Sequence, residues 1–323
     1  MKENEPLHIS VICPVLNEEQ YLDAVLSFIS HALPTSKECF IIDGGSTDNT
    51  KDIFQSWQSQ MPNLYWLDNP HKFVPFALNL AIPKCKGSFI VRLDAHSEYA
   101  SDYFEQILNT FKETNADIVG GPTRTKGKTA FQKAVAQAIC NPFAIGNSKV
   151  HDIDYRGYTD SVTFGAWRRD VFEAAGLFDE TLLRNQDDEF HYRAKSLGFS
   201  VYQSPDIKLY YYPRGSAKGL FRQYYQYGLF KPAVLRKVKS EIKLRHLVPS
   251  LFVIYLLLLA IFVQLSLLFL LPLLFYLSFI VLQSLKMEGG GEVKLSGLVT
   301  FPCIHIGYGI GFIMGTVNKN PTL

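Results

Sequence analysis

Apolar and polar positions alternate in blocks along the first hundred residues. HISVICPVL (8–16) is an apolar, β-branched run that breaks at Pro14 and Asn17, and it predicts a strand. EEQYLDAVLSFISHAL follows with helical spacing. CFIID (39–43) predicts a second strand, then a loop, GGSTDNT, and a helix over KDIFQSWQSQ. YWLDN (65–69) predicts a short third strand, FVPFALNLAIPKC a helix, and SFIVRLD a fourth strand. Strands alternating with helices predict an α/β fold with a mostly parallel, doubly wound sheet. Such sheets bind ligands beyond the carboxyl ends of their strands. Polar residues gather there: Asn17 and Glu18 after the first strand, Asp43 to Asp48 after the second, Asp94 and His96 after the fourth.

The pattern changes after His246. Residues 247–285 carry no charged side chain, and about 20 apolar residues suffice for one membrane-spanning helix. Two spans are expected, at about 248–264 and 267–285, with the hairpin near Gln264 and Ser266 and Pro272 inside the second. A polar break, KMEGGGEVK (286–294), precedes a weaker apolar segment whose third span would cover 296–317. Its glycines at 307, 309, 311 and 315 suit close helix packing in lipid. A soluble buried hairpin of this length would need a polar face. Between Lys231 and Arg245 stand six Lys/Arg against one Glu, which places this flank and the domain before it on the cytoplasmic side. The expected organisation is a cytoplasmic domain over 1–230, a basic juxtamembrane segment over 231–246, and a membrane domain over 247–317.

Composition adds exclusions. The net charge of +2 over 323 residues gives no reason to expect nucleic acid as a partner. Five scattered cysteines without C-x-x-C spacing read as small buried hydrophobes in a reducing compartment. The polar start MKENEPLH lacks the basic and apolar regions of a secretory signal. No G-x-G-x-x-G follows the first strand, and no P-loop or G-x-S-x-G elbow occurs.

Four stretches remain that can carry chemistry. D-G-G-S-T-D-N-T (43–50) is in part a strand-to-helix turn capped by Thr47 or Asp48. Asp43 precedes that cap, and its carboxylate can accept from a base N–H. In D-A-H (94–96), strand alternation would converge Asp94 and His96 on one point, and a carboxylate with an imidazole suits Mn²⁺ better than Mg²⁺. In RNQDDEFHYR (184–193), Asp187, Asp188 and Glu189 open a helix. Acids there are favoured by the helix dipole, and one facing a cleft can act as general base toward a sugar hydroxyl. RQYYQYG (222–228) is an aromatic amphipathic helix that either lies at headgroup depth or lines an acceptor channel.

Together these motifs resemble the family 2 inverting glycosyltransferases of the GT-A fold, over roughly residues 8–230. P-V-L-N-E (14–18) is similar to that family's opening motif, and D-G-G-S-T-D-N-T to its D-x-S-x-D-x-T. D-A-H stands where the family has its D-x-D metal motif, with His96 in place of the second acid. N-Q-D-D-E matches its E-D motif, with Gln186 replacing the Glu. The resemblance implies nucleotide contacts from Pro14, Val15, Asn17, Glu18, Asp43, Ser46, Lys72 and Asp94. It further implies a divalent metal, Mn²⁺ or Mg²⁺, on Asp94 and His96, and Asp187 as catalytic base. FGAWRRDVFEAAGLFDE (164–180) is similar to the segment supporting diphosphate and acceptor, so Gly165, Gln186, Asp188, Gln223, Tyr224 and Tyr227 are implied near the sugars. Q-Y-Y-Q-Y (223–227) is a relaxed form of Q-x-x-R-W, with Gln226 and Tyr227 where processive synthases carry Arg and Trp. That departure speaks against a processive polymerase.

HIGYGIGFIMG (305–315) and D-A-H are similar to membrane-anchored glucosyltransferases of bacterial exopolysaccharide assembly, of the succinoglycan type. The implied activity is transfer of a single sugar from a UDP-sugar, UDP-glucose first, to a lipid-linked oligosaccharide at the bacterial inner membrane. Two alternatives stand beside it: a polyprenyl-phosphate sugar synthase using Arg214, Arg222 or Lys231 at its acceptor, and a non-catalytic nucleotide-sugar-binding membrane subunit. The pattern specifies no oligomeric state.

Overall fold

The structure is a computed structural model that describes residues 9–146, 148–239, 242–318 and 321. The stretch MKENEPLH and residues 240–241 of the basic segment lie outside the described residues. The chain begins β1 (Ile9–Val15), α1 (Leu22–His31), β2 (Lys37–Asp43), α2 (Thr50–Gln58), β3 (Leu64–Asp68), α3 (Val74–Ala81) and β4 (Phe89–Arg92). It continues through β5 (Ser97–Tyr99), α4 (Tyr103–Thr114), β6 (Ile118–Gly120), β7 (Thr123–Thr125), α5 (Ala130–Ile139) and α6 (Pro142–Ile145). Next come β8 (Gly157–Tyr158), β9 (Ala166–Arg168), α7 (Arg169–Ala175), α8 (Gln186–Ser196), β10 (Val201–Gln203) and β11 (Leu209–Tyr211). The last helices are α9 (Ala217–Lys237), α10 (Leu244–Leu265), α11 (Leu271–Leu285) and α12 (Gly291–Val317).

Two compact units emerge: residues up to Arg124 with Lys149–Tyr211, and Thr125–Ser148 with Tyr212–Leu323. The boundary expected at 230 falls inside α9, one continuous helix.

In the first unit an eight-stranded sheet runs β3-β2-β1-β4-β9-β6-β10-β8. β3, β2, β1 and β4 are mutually parallel, β9 runs antiparallel to β4 and β6, and β10 is parallel to β6. β1 is central and loses water on both faces, which explains its nearly unbroken apolar run. Ile9, Val11, Cys13 and Val15 pack with Leu22, Val25, Leu26 and Ile29 of α1 and with Phe104 and Ile107 of α4. Those α1 positions are spaced i, i+3, i+4, i+7, one helical face. Ile12 faces the other layer, against Ala77, Leu78 and Ala81 of α3 and Trp167 and Val171. Pro14 lies past the last β1–β4 pair, Ile12 opposite Arg92, so its missing N–H costs no ladder bond on that side. β5, β11 and β7 form a separate small sheet.

The second unit is helical. Thr129 and Gln132 form a reciprocal capping box that starts α5. Ala134, Val135, Ala138 and Ile139 of α5 pack with Phe301 and Ile304 of α12. Nothing in the α5 pattern names this partner, and the segment 125–148 was expected in the N-terminal domain. α9 and α12 meet backbone to backbone. A side chain on Gly311 would strike the Tyr225 carbonyl, one on Gly315 the Leu229 carbonyl, and one on Gly228 the Tyr308 carbonyl. Small residues four apart allow this approach. His305 of α12 meets the Tyr276 hydroxyl of α11 with Nδ1 at 2.9 Å and the Phe143 carbonyl of α6 with Nε2 at 2.9 Å.

Three helical stretches are long and apolar enough to cross a membrane: Leu244–Leu265, Leu267–Leu285 and Gly291–Val317. The turn between the first two falls at the extended Ser266, whose hydroxyl accepts from the Leu268 N–H. Leu257, Leu267 and Phe275 are 72%, 74% and 72% exposed, a surface suited to lipid rather than to a protein interior. Cys13, Cys39 and Cys85 are buried as expected, whereas Cys140 is exposed because it follows the last turn of α5. Cys303, also expected to be buried, is half-buried.

Candidate active site

The loops after β1 and β2 are bonded to each other. Asn17 takes a left-handed turn (φ 56°), which its short polar side chain tolerates. Its N–H donates to Ser46 Oγ at 2.8 Å, and its Oδ1 accepts from the Thr47 N–H at 2.8 Å. The Glu18 N–H donates to Thr50 Oγ1 at 2.9 Å. Asp43 closes its own turn, accepting from the Gly45 and Ser46 N–H groups and from Ser46 Oγ at 2.5 Å. This is an Asx-type turn, a role open to an Asp followed by Gly-Gly-Ser. The Asp43 carbonyl also takes the Asn69 N–H at 2.7 Å, drawing in the loop that carries Lys72. Gly44 allows that closure, since a Cβ there would stand 3.2 Å from the Lys72 carbonyl oxygen. Pro14, Val15, Asn17, Glu18, Asp43, Ser46 and Lys72 are thus gathered on three adjoining strand ends.

β4 ends at Arg92, two residues earlier than expected, so the alternation argument for Asp94 and His96 does not hold. They sit in a turn closed by the Ser97 N–H on the Asp94 carbonyl, and the Tyr99 hydroxyl bridges the Asp94 N–H and carbonyl. Their side chains take different partners. Asp94 Oδ1 accepts from Arg92 Nε at 3.1 Å and Nη2 at 3.0 Å, and His96 Nδ1 meets Glu18 Oε1 at 3.0 Å. Among the described residues no three His, Cys, Asp or Glu side chains stand together as a complete metal cage. Two protein donors suffice where a substrate diphosphate completes the set. The Glu18 contact also fits that use, because metal-binding imidazoles characteristically give their other N–H to a carboxylate.

Arg92 is the residue the sequence analysis missed. It is 6% exposed, its guanidinium lies 5.2 Å from the centre of the Phe164 ring, and its N–H donates to the Gly165 carbonyl at 3.2 Å. Burial works against its charge, yet Asp94 and Asp187 outweigh burial and hold its pKa above the ordinary value. The signal available was a charged residue in the apolar run SFIVRLD, since a buried arginine needs carboxylates around it.

Asn185, left-handed at φ 59°, starts α8. Asp187 lies in its first turn, and its Oδ1 accepts the Asp188 N–H at 3.0 Å. Gln186 is buried. Of the three consecutive acids, Glu189 is structural: it pairs with Arg193 at 2.8 Å, one turn on. Gly165 rests on the next turn of α8, where a Cβ would come 3.0 Å from Trp167 and 3.4 Å from His191 Nε2. Gln223, Tyr224 and Tyr227 belong to the second unit, where Gln223 Nε2 donates to the Tyr227 hydroxyl at 3.0 Å.

His191 is fully buried, with Ser161 Oγ 2.9 Å from Nδ1 and the Trp167 indole N–H donating to Nε2 at 3.2 Å. The indole can only donate, so Nε2 must carry a lone pair and the ring must be neutral. Burial pushes its pKa down to about 4, with Asp188 opposing and Arg92 reinforcing the shift. The unfolded chain therefore takes up this proton first on acidification. The contribution to stability is complete above about pH 6.5 and falls by about 3 kcal/mol as pH drops toward 4. Unfolding temperatures of the detergent-solubilised protein should fall across that window, and His191→Gln should flatten the slope there. An unchanged slope would mean that His191 does not titrate on unfolding.

A parallel half-sheet with acids at its strand ends, joined to an antiparallel strand that returns Gly165 beside them, defines a GT-A-type transferase domain. Residues 10–176 match the family model Glycosyl transferase family 2. The chain is 30% identical over 242 residues to the succinoglycan biosynthesis protein ExoA of Rhizobium meliloti (strain 1021), covering 74% of this chain and 73% of that protein. It therefore belongs to glycosyl transferase family 2, and it is a glycosyltransferase. It is also 27% identical over 238 residues, 71% of this chain and 74% of the relative, to a Methanococcus voltae enzyme. That enzyme is named dolichyl N-acetyl-alpha-D-glucosaminyl phosphate 3-beta-D-2,3-diacetamido-2,3-dideoxy-beta-D-glucuronosyltransferase. Among solved structures, the Pyrobaculum calidifontis mannosyltransferase PcManGT with GDP-Man and Mn²⁺ superposes with a TM-score of 0.56 at 17% identity, over 73% of this chain and 65% of that one. S. aureus TarS 1-349 with UDP-GlcNAc gives 0.51 at 16% identity, over 92% and 72%. At these identities the likeness is one of fold.

Proposed function

We propose that this glycosyltransferase moves one sugar from a UDP-sugar, UDP-glucose first, to a lipid-linked saccharide, with inversion at the anomeric carbon. The observation that carries the reading is Arg92, a buried guanidinium bonded to Asp94, with the Asp187 carboxylate near enough to help hold its charge. One residue thereby ties the acid expected at the diphosphate to the acid expected at the acceptor. The base and ribose lie along Pro14, Val15 and Asn17, with Asp43, Ser46 and Lys72 beside them. Asp94 and His96 face the diphosphate, and a divalent cation held there supplies Lewis-acid neutralisation of the departing charge. Gly165, Gln186 and Asp188 border the sugar. Asp187 takes the proton of the acceptor hydroxyl while that oxygen bonds to the anomeric carbon and the bond to the diphosphate oxygen breaks, releasing UDP.

Two features favour a lipid-linked acceptor at the cytoplasmic face of a membrane: the apolar hairpin, and the basic run from Lys231 to Arg245. The Methanococcus relative, whose name describes transfer to a dolichyl-linked sugar, supports the same acceptor class. A screen of radiolabelled UDP-sugars against bacterial lipid extract, with and without Mn²⁺, tests the reading. The expected product is a lipid extended by one sugar, of β configuration from an α-linked donor. Transfer to polyprenyl phosphate alone would replace it with the synthase reading.

A further inference from the structure

Glu18 was expected at the nucleotide, but its side chain is engaged elsewhere. Its main chain is pinned by the Thr50 hydroxyl, and its carboxylate, with a side chain 15% exposed, reaches His96 Nδ1 at 3.0 Å across a sequence separation of 78. The imidazole side chain is 43% exposed, with two tyrosines beside it. The rings of Tyr21 and Tyr211 each lie 6.4 Å from it, at 66° and 59°. The turn beneath it is fixed by Tyr99 through Asp94. A carboxylate on Nδ1 requires the proton on that nitrogen, and in the neutral ring the lone pair is then on Nε2. That is the form in which imidazole binds a metal, made more basic by the carboxylate behind it.

We propose that Glu18 is a positioning residue for His96: it fixes the Nδ1–H tautomer and aims Nε2 at the divalent cation shared with the donor diphosphate. The proposal rests on the donor-site reading above. It replaces a nucleotide contact with a contact one shell behind the metal. It also explains how a site with His in place of a second acid retains a negative charge close by: Glu18 supplies that charge from the opposite loop.

The test uses the full-length protein in detergent, with UDP and Mn²⁺ as probes and no turnover. Pulsed EPR of the Mn²⁺–UDP complex should detect coupling to an imidazole nitrogen, and His96→Ala should abolish it. Glu18→Ala should bind UDP like wild type in metal-free buffer, yet bind Mn²⁺ about 10–100-fold more weakly in the presence of UDP. Glu18→Gln, which retains an acceptor for Nδ1–H, should fall between. Wild-type Mn²⁺ affinity in Glu18→Ala would overturn the proposal, and so would an equal loss of metal-free UDP binding, the mark of a nucleotide contact. A wild-type Mn²⁺–UDP complex without nitrogen coupling overturns it too, while leaving the donor site standing. A wild-type protein that binds no UDP takes both readings down.

Discussion

Asp187→Asn should lower kcat by about 10²–10⁴-fold, the usual contribution of a positioned general base, while leaving UDP affinity unchanged. The substitution is close to isosteric. Asn offers the same Oδ1 to the Asp188 N–H, so the first turn of α8 keeps its bond. Arg92 keeps its direct partner, Asp94, so the buried cation is not stranded. What disappears is the one function an amide cannot perform, accepting the acceptor's proton. Single-turnover transfer with saturating UDP-sugar measures this directly, and UDP titration provides the control. Full turnover in Asp187→Asn would move the base elsewhere, to Asp188 first.

How much of this site the sequence displayed depends on whether a residue's role shows in the hydrophobic pattern. β1, β2 and β4 were legible because strands covered on both faces read as apolar runs, and the acids at their ends stand out against them. Asp43 and Asp94 were singled out as candidates that way. The partners of those acids were not legible. Asp43 bonds its own turn, a matter of backbone direction at Gly45 and Ser46. Asp94 is held by a residue two positions before it, and His96 by one on another strand end. The misplaced end of β4 shows the same limit, since SFIVRLD continues as an apolar alternation past the last ladder pair. In the helical unit, the stripe of Gly307, Gly311 and Gly315 announced a close helix contact but not its partner. Only the structure matches it with Tyr225, Leu229 and the reciprocal Gly228 of α9.

Arg92→Leu should be the most damaging single change in the site, because it removes a buried cation and leaves the carboxylates around it. Asp94, its side chain 16% exposed, would lose both its Nε and Nη2 donors, and Asp187 would lose the charge that offsets its own. Breaking a buried ion pair from one side costs about 3–5 kcal/mol, and the partial exposure of Asp94 argues for the lower end. Loss of the guanidinium also uncovers the Phe164 face. Stability and transfer should therefore fall together. Arg92→Lys keeps a charge but cannot place two donors on Asp94 Oδ1, so it should recover part of the stability and less of the activity. The decisive variant is the double one. Arg92→Leu with Asp94→Asn removes the stranded charge, so its unfolding midpoint should return most of the way to wild type while transfer stays lost. If the double variant is no more stable than Arg92→Leu alone, the cost comes from packing around Phe164 and not from the unpaired carboxylate.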